Sequence, residues 1–295
     1  MSRLVLEALG TLWYIRVYDD EFPYELQAEV TSVILSFQRD YSRFVRDSLL
    51  NRLNRTGRFS NPPQALFEMC RQGEELRKLS GGAFNLSVCY VLVKEGYGND
   101  FRERVANMSN SELRVPFVQL EPESIRLRDG VSIDLGAIGK GYLVDTVAKL
   151  LKSNGIQYFV INAGGDIYAT TNHNERITCV LENPFNSREF IGTISLSNRG
   201  IACSSQNKRY WTSVVSGKRV AHLIDTKTFR PKRGVAAVFT ESETTATADA
   251  VSTALFVSDP DKYKAIAEST DTEFAIIYED GRCYRSSGYH GNFSR

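Results

Sequence analysis

The chain has 295 residues, 42% hydrophobic and 24% charged, an ordinary globular composition that excludes wholesale disorder. Lys plus Arg (36) and Asp plus Glu (35) nearly cancel to a net charge of +1, so bulk electrostatics give no reason to expect a nucleic-acid partner. The five cysteines, Cys70, Cys89, Cys179, Cys203 and Cys283, are scattered, odd in number and outside any CxxC or Cys/His cluster. This argues against structural zinc and a disulfide framework, and for free thiols in a reducing compartment.

The first residues, MSRLVLEALGTLWYIRVYDD, are apolar in patches that Glu7 and Arg16 interrupt, and no small-residue cleavage site follows. A strand over 11–17 is expected here rather than a signal peptide. The sequence has no uninterrupted apolar run of about 18 residues, so no membrane insertion is expected. The expected location is cytoplasmic, for the chain alone or for a larger protein that contains it. Residues 23–57 read as helical: Val30, Ile34 and Phe37 share one face, as do Leu49, Leu50 and Leu53. Asn61-Pro62-Pro63 interrupts them, and Gln64 to Leu79 reads as a further amphipathic helix stopped at Ser80-Gly81-Gly82.

Strand signals dominate later. Residues 132–135 read as short and extended, and a glycine-rich loop leads into a helix over 142–154, where Val144, Val147, Leu150 and Leu151 recur at intervals of three and four. A buried strand over 158–162 ends at Ala163-Gly164-Gly165-Asp166, and strands follow over 176–182, 189–197 and 209–225. The last of these turns at Ser216-Gly217-Lys218, and a hairpin over 273–286 turns at Glu279-Asp280-Gly281. Helices are expected over 247–257 and 259–268. With no linker, repeat or low-complexity tract, the chain reads as one α+β domain over 1–295, helical early and sheet-rich late.

Five stretches carry chemistry. DLGAIGKGY (134–142) has the strand–glycine loop–helix order used for anions, because free N–H groups and the helix dipole attract negative charge. Its spacing matches neither a Walker loop nor GxGxxG. In VINAGGD (160–166), Gly164 and Gly165 permit close approach of backbone or ligand, flanked by Asn162 and Asp166. In TADAVST (247–253), Asp249 and Thr253 share a helix face and suit Mg²⁺ as oxygen ligands, but taken alone the default reading is that Thr247 or Asp249 caps the helix. His222 and Asp225 sit in HLID, on opposite faces if the strand is regular. His222 reads as an acid–base group or a buried polar residue, and His173 and His290 carry no assignment. SGGAFNLS (80–87) reads as a backbone wall beside an aromatic ring, or as a loop that ends a helix.

In this order, the segments resemble the ApbE-like flavin transferases, the FAD:protein FMN transferases. The resemblance rests on Leu9-Gly10-Thr11, GGAFNLS (81–87), DLGAIGKGYLVD (134–145), NAGGDI (162–167), CSSQN (203–207), HLIDTKTFRP (222–231) and ADAVSTALFV (248–257). It implies a single domain with an antiparallel-rich sheet packed with helices, T-fold-like. It also implies an enzyme that cleaves the pyrophosphate of FAD, releases AMP and attaches FMN to a threonine of an acceptor flavoprotein with Mg²⁺.

By the same resemblance, Asp249 and Thr253 are metal ligands together with the carbonyl of Ala137. Asp134 and Lys140 contact the flavin nucleotide. Gly82, Ala83, Phe84 and Asn85 form the flavin loop, Phe44 lies against the flavin, and His222 lies near both FAD and the reacting phosphate. His222, Asp249 and Lys140 are the candidate catalytic groups, with His222 and Asp249 both open as the base. The sequence departs from the family pattern at Asn85 (usually Asp), at Cys203-Ser204-Ser205 (Thr-Ser-Gly), and at Thr226 and Phe229 (Pro and Gly). An FAD diphosphatase of the same fold and a non-catalytic flavin-binding domain are the alternative readings. The family's acceptor motif is absent from this chain, so the expected acceptor is a separate cytoplasmic protein or another part of a longer polypeptide.

Overall fold

Eight strands pair antiparallel into one sheet, each beside its neighbours in chain order: β1 (Ser2–Ala8), β2 (Thr11–Val17), β3 (Phe159–Ala163), β4 (Asp166–Thr170), β5 (Arg199–Ser205), β6 (Val235–Ser242), β7 (Glu273–Tyr278) and β8 (Cys283–Arg285). The computed structural model describes residues 2–19, 21–97, 118–171, 175–207, 210–217, 219–228 and 230–293. His173, Lys218 and Phe229 lie outside them.

Side chains alternate between the two faces of a strand, and here both faces are buried. Val238 of β6, Ile276 of β7 and Tyr168 of β4 join the larger core, whereas Ala237, Phe239, Ile277 and Ala169 join a smaller one. Among the described residues, seven helices supply the larger core: α1 (Tyr24–Tyr41), α2 (Leu49–Thr56), α3 (Gln64–Leu79), α4 (Cys89–Lys94), α5 (Gly139–Ser153), α6 (Thr245–Val257) and α7 (Pro260–Ser269). The smaller core is closed by a three-stranded sheet of Ile177–Glu182, Phe190–Leu196 and Asn292–Phe293. A further small sheet joins Arg58–Ser60, Ser124–Leu127 and Val118–Glu121.

The expected α+β class holds, with a large antiparallel sheet and helices packed on it. The helix over 64–79, the strand over 11–17 and the hairpin at Gly281 fall where the sequence places them. The helical stretch 23–57 divides into α1 and α2, with Ser48 capping α2 by accepting from Asn51 N. β1 was not expected; it turns into β2 through Leu9 and Gly10, both with positive φ (53° and 68°), as a two-residue hairpin requires.

The hairpin expected over 209–225 is present, Tyr210–Thr212 pairing with Arg219–Ala221, but its second strand stops there, and Ile224–Asp225 pairs with Arg230–Pro231 in a separate ladder. His222 falls in the gap between them, so the opposite-face argument for His222 and Asp225 does not apply. Residues 131–135 join no ladder. The side chain of Asn54, fully buried, takes the place of a partner strand: its Nδ2 donates to Ile133 O at 3.0 Å and its Oδ1 accepts from Ile133 N at 2.8 Å. Asp134 N then donates to Leu86 O at 2.8 Å. This bracket holds the strand-like entry into the glycine loop.

The cysteines are free, and Cys70, Cys89 and Cys179 are buried. Among the described residues, no helix is long and apolar enough to cross a membrane.

Candidate active site

The site is built where the start of α5 meets the first turns of α6. The glycine loop closes on itself, Gly136 N donating to Asp134 Oδ1 at 2.6 Å, and α5 begins at Gly139. At Gly141, α5 presses on α6 so closely that an added Cβ would lie 2.3 Å from Thr245 O. Only glycine fits. The Gly141 amide, one of the donors a helix N-terminus leaves unpaired, donates instead to Asp249 Oδ2 at 3.0 Å.

The start of α6 is held from the other helix. Asp145 of α5 accepts from Thr245 N and Ala246 N, each at 2.8 Å. Thr244 is the N-cap and accepts from Thr247 N at 3.2 Å. Capping is therefore complete without Thr247 or Asp249, which removes the capping reading of Asp249. That residue lies in the second turn, 4% exposed, with its carboxylate turned to the start of α5.

Lys140 reaches two carboxylates. Its Nζ pairs with Asp166 and stands 3.4 Å from Asp249 Oδ2. Asp166 opens β4 just after the turn at Gly164 and Gly165, both with positive φ (69° and 109°); Asn162 Oδ1 accepts from Gly165 N at 2.8 Å. One lysine beside two buried carboxylates leaves the trio with a formal charge of −1. Asp249 Oδ1 accepts no hydrogen bond among the described residues. Thr253, one turn further along α6, shares a hydroxyl contact with Ser204 at 3.0 Å, and Ser204 in turn contacts Ser252 at 2.7 Å. Thus Cys203-Ser204-Ser205 is the end of β5, packed on α6.

An aromatic group lies beside these charges. Arg43, in the turn after α1, pairs with Asp134 and stacks against the rings of Phe44 and Tyr97. Tyr97 stacks on Trp211 at 4.6 Å. A cavity of about 1110 Å³ takes in both groups. Asp134, Ala137, Lys140, Asp249 and Thr253 line it, as do Phe44, Phe84, Asn85 and His222.

Gly82 and Ala83 do not line this cavity. Their carbonyls accept from the Thr226 hydroxyl, with the Ala83 contact at 3.1 Å, and Ala83 O also accepts from Thr226 N at 3.2 Å. Thr226 replaces a proline of the family pattern, and proline could supply neither donor. Asn85 accepts from Ser87 N at 3.0 Å and caps the short turn Leu86–Val88, work that needs an oxygen but no charge.

Sequence reasoning passed over Arg43 and assigned Asp166 no role. Arg43 has no local pattern to mark it. Asp166 was noted only as a polar flank of the glycine pair, and its position four residues after Asn162, opening a strand, was the available signal.

The ApbE family model matches residues 9–278. The chain is 26% identical over 294 residues to the FAD:protein FMN transferase of Haemophilus influenzae, covering 92% of this chain and 84% of that one. It is 26% identical over 283 residues to the FAD:protein FMN transferase of Vibrio cholerae, covering 90% and 83%. Among solved structures, it resembles the ApbE protein of Thermotoga maritima (TM-score 0.82, 24% identity, 97% of each chain). The flavin transferase ApbE of Vibrio cholerae is similar too, at TM-score 0.78 and 24% identity over 97% of each chain. With a family match that takes in most of its length and a fold shared end to end, the chain belongs to the ApbE family.

Proposed function

We propose that this protein is an FAD:protein FMN transferase that moves FMN from FAD to a threonine hydroxyl of an acceptor flavoprotein, releases AMP, and depends on Mg²⁺. The observation that carries the reading is the meeting of Lys140, Asp249 and Thr253 with the start of α5 in one cavity that also takes in the exposed face of Phe44. A ring platform and a charge-handling centre in one cavity suit a substrate with a flat aromatic end and a diphosphate.

The donor chemistry fits a magnesium ion. Asp249 Oδ1, the Thr253 hydroxyl and the Ala137 carbonyl are hard oxygen donors. Among the described residues, no three His, Cys, Asp or Glu side chains converge as metal ligands, so the remaining ligands would be substrate and water oxygens. The formal −1 charge of Lys140 with Asp166 and Asp249 would repel a diphosphate without such a cation. When bound, Mg²⁺ supplies neutralisation of the diphosphate charge.

The chain's own groups divide the other work. Lys140 places a positive charge at the diphosphate, and its two carboxylate partners fix where that charge sits. The acceptor oxygen attacks the FMN phosphorus, the bond from that phosphorus to the bridging oxygen breaks, and AMP departs with the bridging oxygen. Asp249 Oδ1 is assigned to the metal and Oδ2 is taken by Gly141 N and Lys140, so His222 is assigned to take the hydroxyl proton. Gly82 and Ala83 support the flavin loop through Thr226. We take residues 1–295 as one catalytic unit and expect a cytoplasmic acceptor.

The test is incubation with FAD, Mg²⁺ and a threonine-bearing acceptor protein. AMP release with flavin-labelled acceptor is expected, and both should be lost in Asp249→Ala. Free FMN without labelled acceptor would mean an FAD diphosphatase. Flavin binding without turnover, unchanged in Asp249→Ala, would mean a binding domain.

A further inference from the structure

Arg43 joins the charged part of the site to its aromatic part. It is 4% exposed. Its guanidinium pairs with Asp134, and Nη2 donates to Tyr97 O at 2.8 Å. The guanidinium carbon stands 4.2 Å from the Phe44 ring centroid and 5.0 Å from that of Tyr97. The two rings meet edge-on at 5.8 Å. The Arg43 backbone is fixed as well, its carbonyl accepting from Asn51 Nδ2 at 2.7 Å. Phe44 is 56% exposed and lines the cavity.

We infer that Arg43 is a positioning residue for FAD, acting on both ends of the substrate at once. The inference rests on FAD being the substrate. Toward the flavin, the planar cation backs the inner face of Phe44 and leaves the outer face as a flat shelf for the isoalloxazine. Toward the phosphates, it holds Asp134, whose other oxygen accepts from Gly136 N and so sets the loop that carries Ala137 and Lys140. An arginine does this and a lysine does not. Lysine supplies charge to Asp134, but neither a flat surface for two rings nor a second donor in a fixed fork.

The experiment measures binding of FAD and of ADP, which has the diphosphate but no flavin ring, by wild type, Arg43→Met and Arg43→Lys in the presence of Mg²⁺. Steady-state transfer at varied FAD accompanies it. Arg43→Met is expected to weaken FAD binding about tenfold or more and to weaken ADP binding as well. KM for FAD should rise, with a smaller fall in kcat at saturating FAD. Arg43→Lys should recover ADP binding while FAD binding stays weak, which separates the loop from the shelf. Should Arg43→Met fail to fold, Arg43→Lys alone decides, because a folded Lys variant with wild-type FAD affinity overturns the inference. So does wild-type binding of both ligands by Arg43→Met, or a loss of thermal stability with unchanged KM for FAD. A wild-type protein that binds neither FAD nor ADP would overturn the transferase reading first, and this inference with it.

Discussion

The amide of Gly141 donates to Asp249 Oδ2 at 3.0 Å, so the first turn of α5 and the second turn of α6 are joined by a hydrogen bond between residues 108 positions apart. The contact exists because position 141 has no side chain. In Gly141→Ala, the new Cβ would stand 2.3 Å from Thr245 O, a backbone atom that cannot step aside. The helices must separate, at an expected cost of about 1–3 kcal/mol. Lys140 and Asp249 separate with them, and a shift of about 1 Å at such a centre costs roughly 100-fold in rate. Denaturant unfolding measures the first effect and AMP release from FAD the second.

Asp145 holds the opposite side of the same junction. In Asp145→Ala, the Thr245 and Ala246 amides lose their acceptor, with an expected loss of about 1–3 kcal/mol for each left unsatisfied. Asp145→Asn keeps one oxygen and should cost less. Burial raises the Asp145 carboxyl above its ordinary range, and the two amide hydrogen bonds only partly oppose it. A raised folded-state value means the native state holds this proton more tightly than the unfolded chain. Wild-type stability should therefore fall as pH rises from about 4, the unfolded value, through the folded one, and then level off. Asp145→Asn should lack that step in a series of urea midpoints against pH.

Asp259 gives the opposite sign. Lys227 Nζ donates to it at 2.8 Å and Lys232 Nζ at 3.0 Å. These hydrogen bonds lower its carboxyl to about 2. Its contribution is present above the unfolded value of about 3.9 and is lost as pH falls toward 2. Because the carboxylate is 52% exposed, the expected size is under about 1 kcal/mol and should shrink in high salt. Asp259→Asn should flatten this part of an acid titration followed by circular dichroism.

The thiols should separate by burial. Burial pushes Cys70 and Cys89 up to about 12 and Cys179 to about 11, so at pH 8 each is almost entirely in the unreactive thiol form. Iodoacetamide should modify the exposed Cys283 first. Cys203 lines the cavity; it should react more slowly and be protected by FAD. Peptide mass spectrometry over a time course measures the order.

The sequence reveals those elements that show a period or a stop. α3 has a clean apolar face and a glycine pair after it. The glycine loop before α5 is legible because an apolar extended run, glycines and helix follow one another without a gap. β6 is not legible: VAAVFTES is buried along all eight residues, so inward and outward positions carry no polar contrast. β5 fails for the same reason, with most of RGIACSS buried between α6 and the smaller core.

Within the site, Asp249 and Thr253 can be paired from spacing alone, because one helix holds both. Arg43 cannot. Its partner Asp134 is 91 positions away, and only the fold makes them neighbours. The break between the ladders at His222 is hidden too, since HLID carries no glycine or proline to mark an interruption.

The pairing of β2 with β3 sets Trp13 against Ala163 and Val17 against Phe159. The β1–β2 hairpin therefore leaves the ribosome well before its partner strand exists. Residues 18–158 must first be made, roughly 7–28 s of synthesis at about 5–20 residues per second. Through that interval the edge of β2 that carries Trp13, Ile15 and Val17, all fully buried in the finished protein, stays unpaired on a nascent chain. Newborn copies of this protein are thus open to chaperone capture and to aggregation at their N-terminal edge until Phe159 emerges.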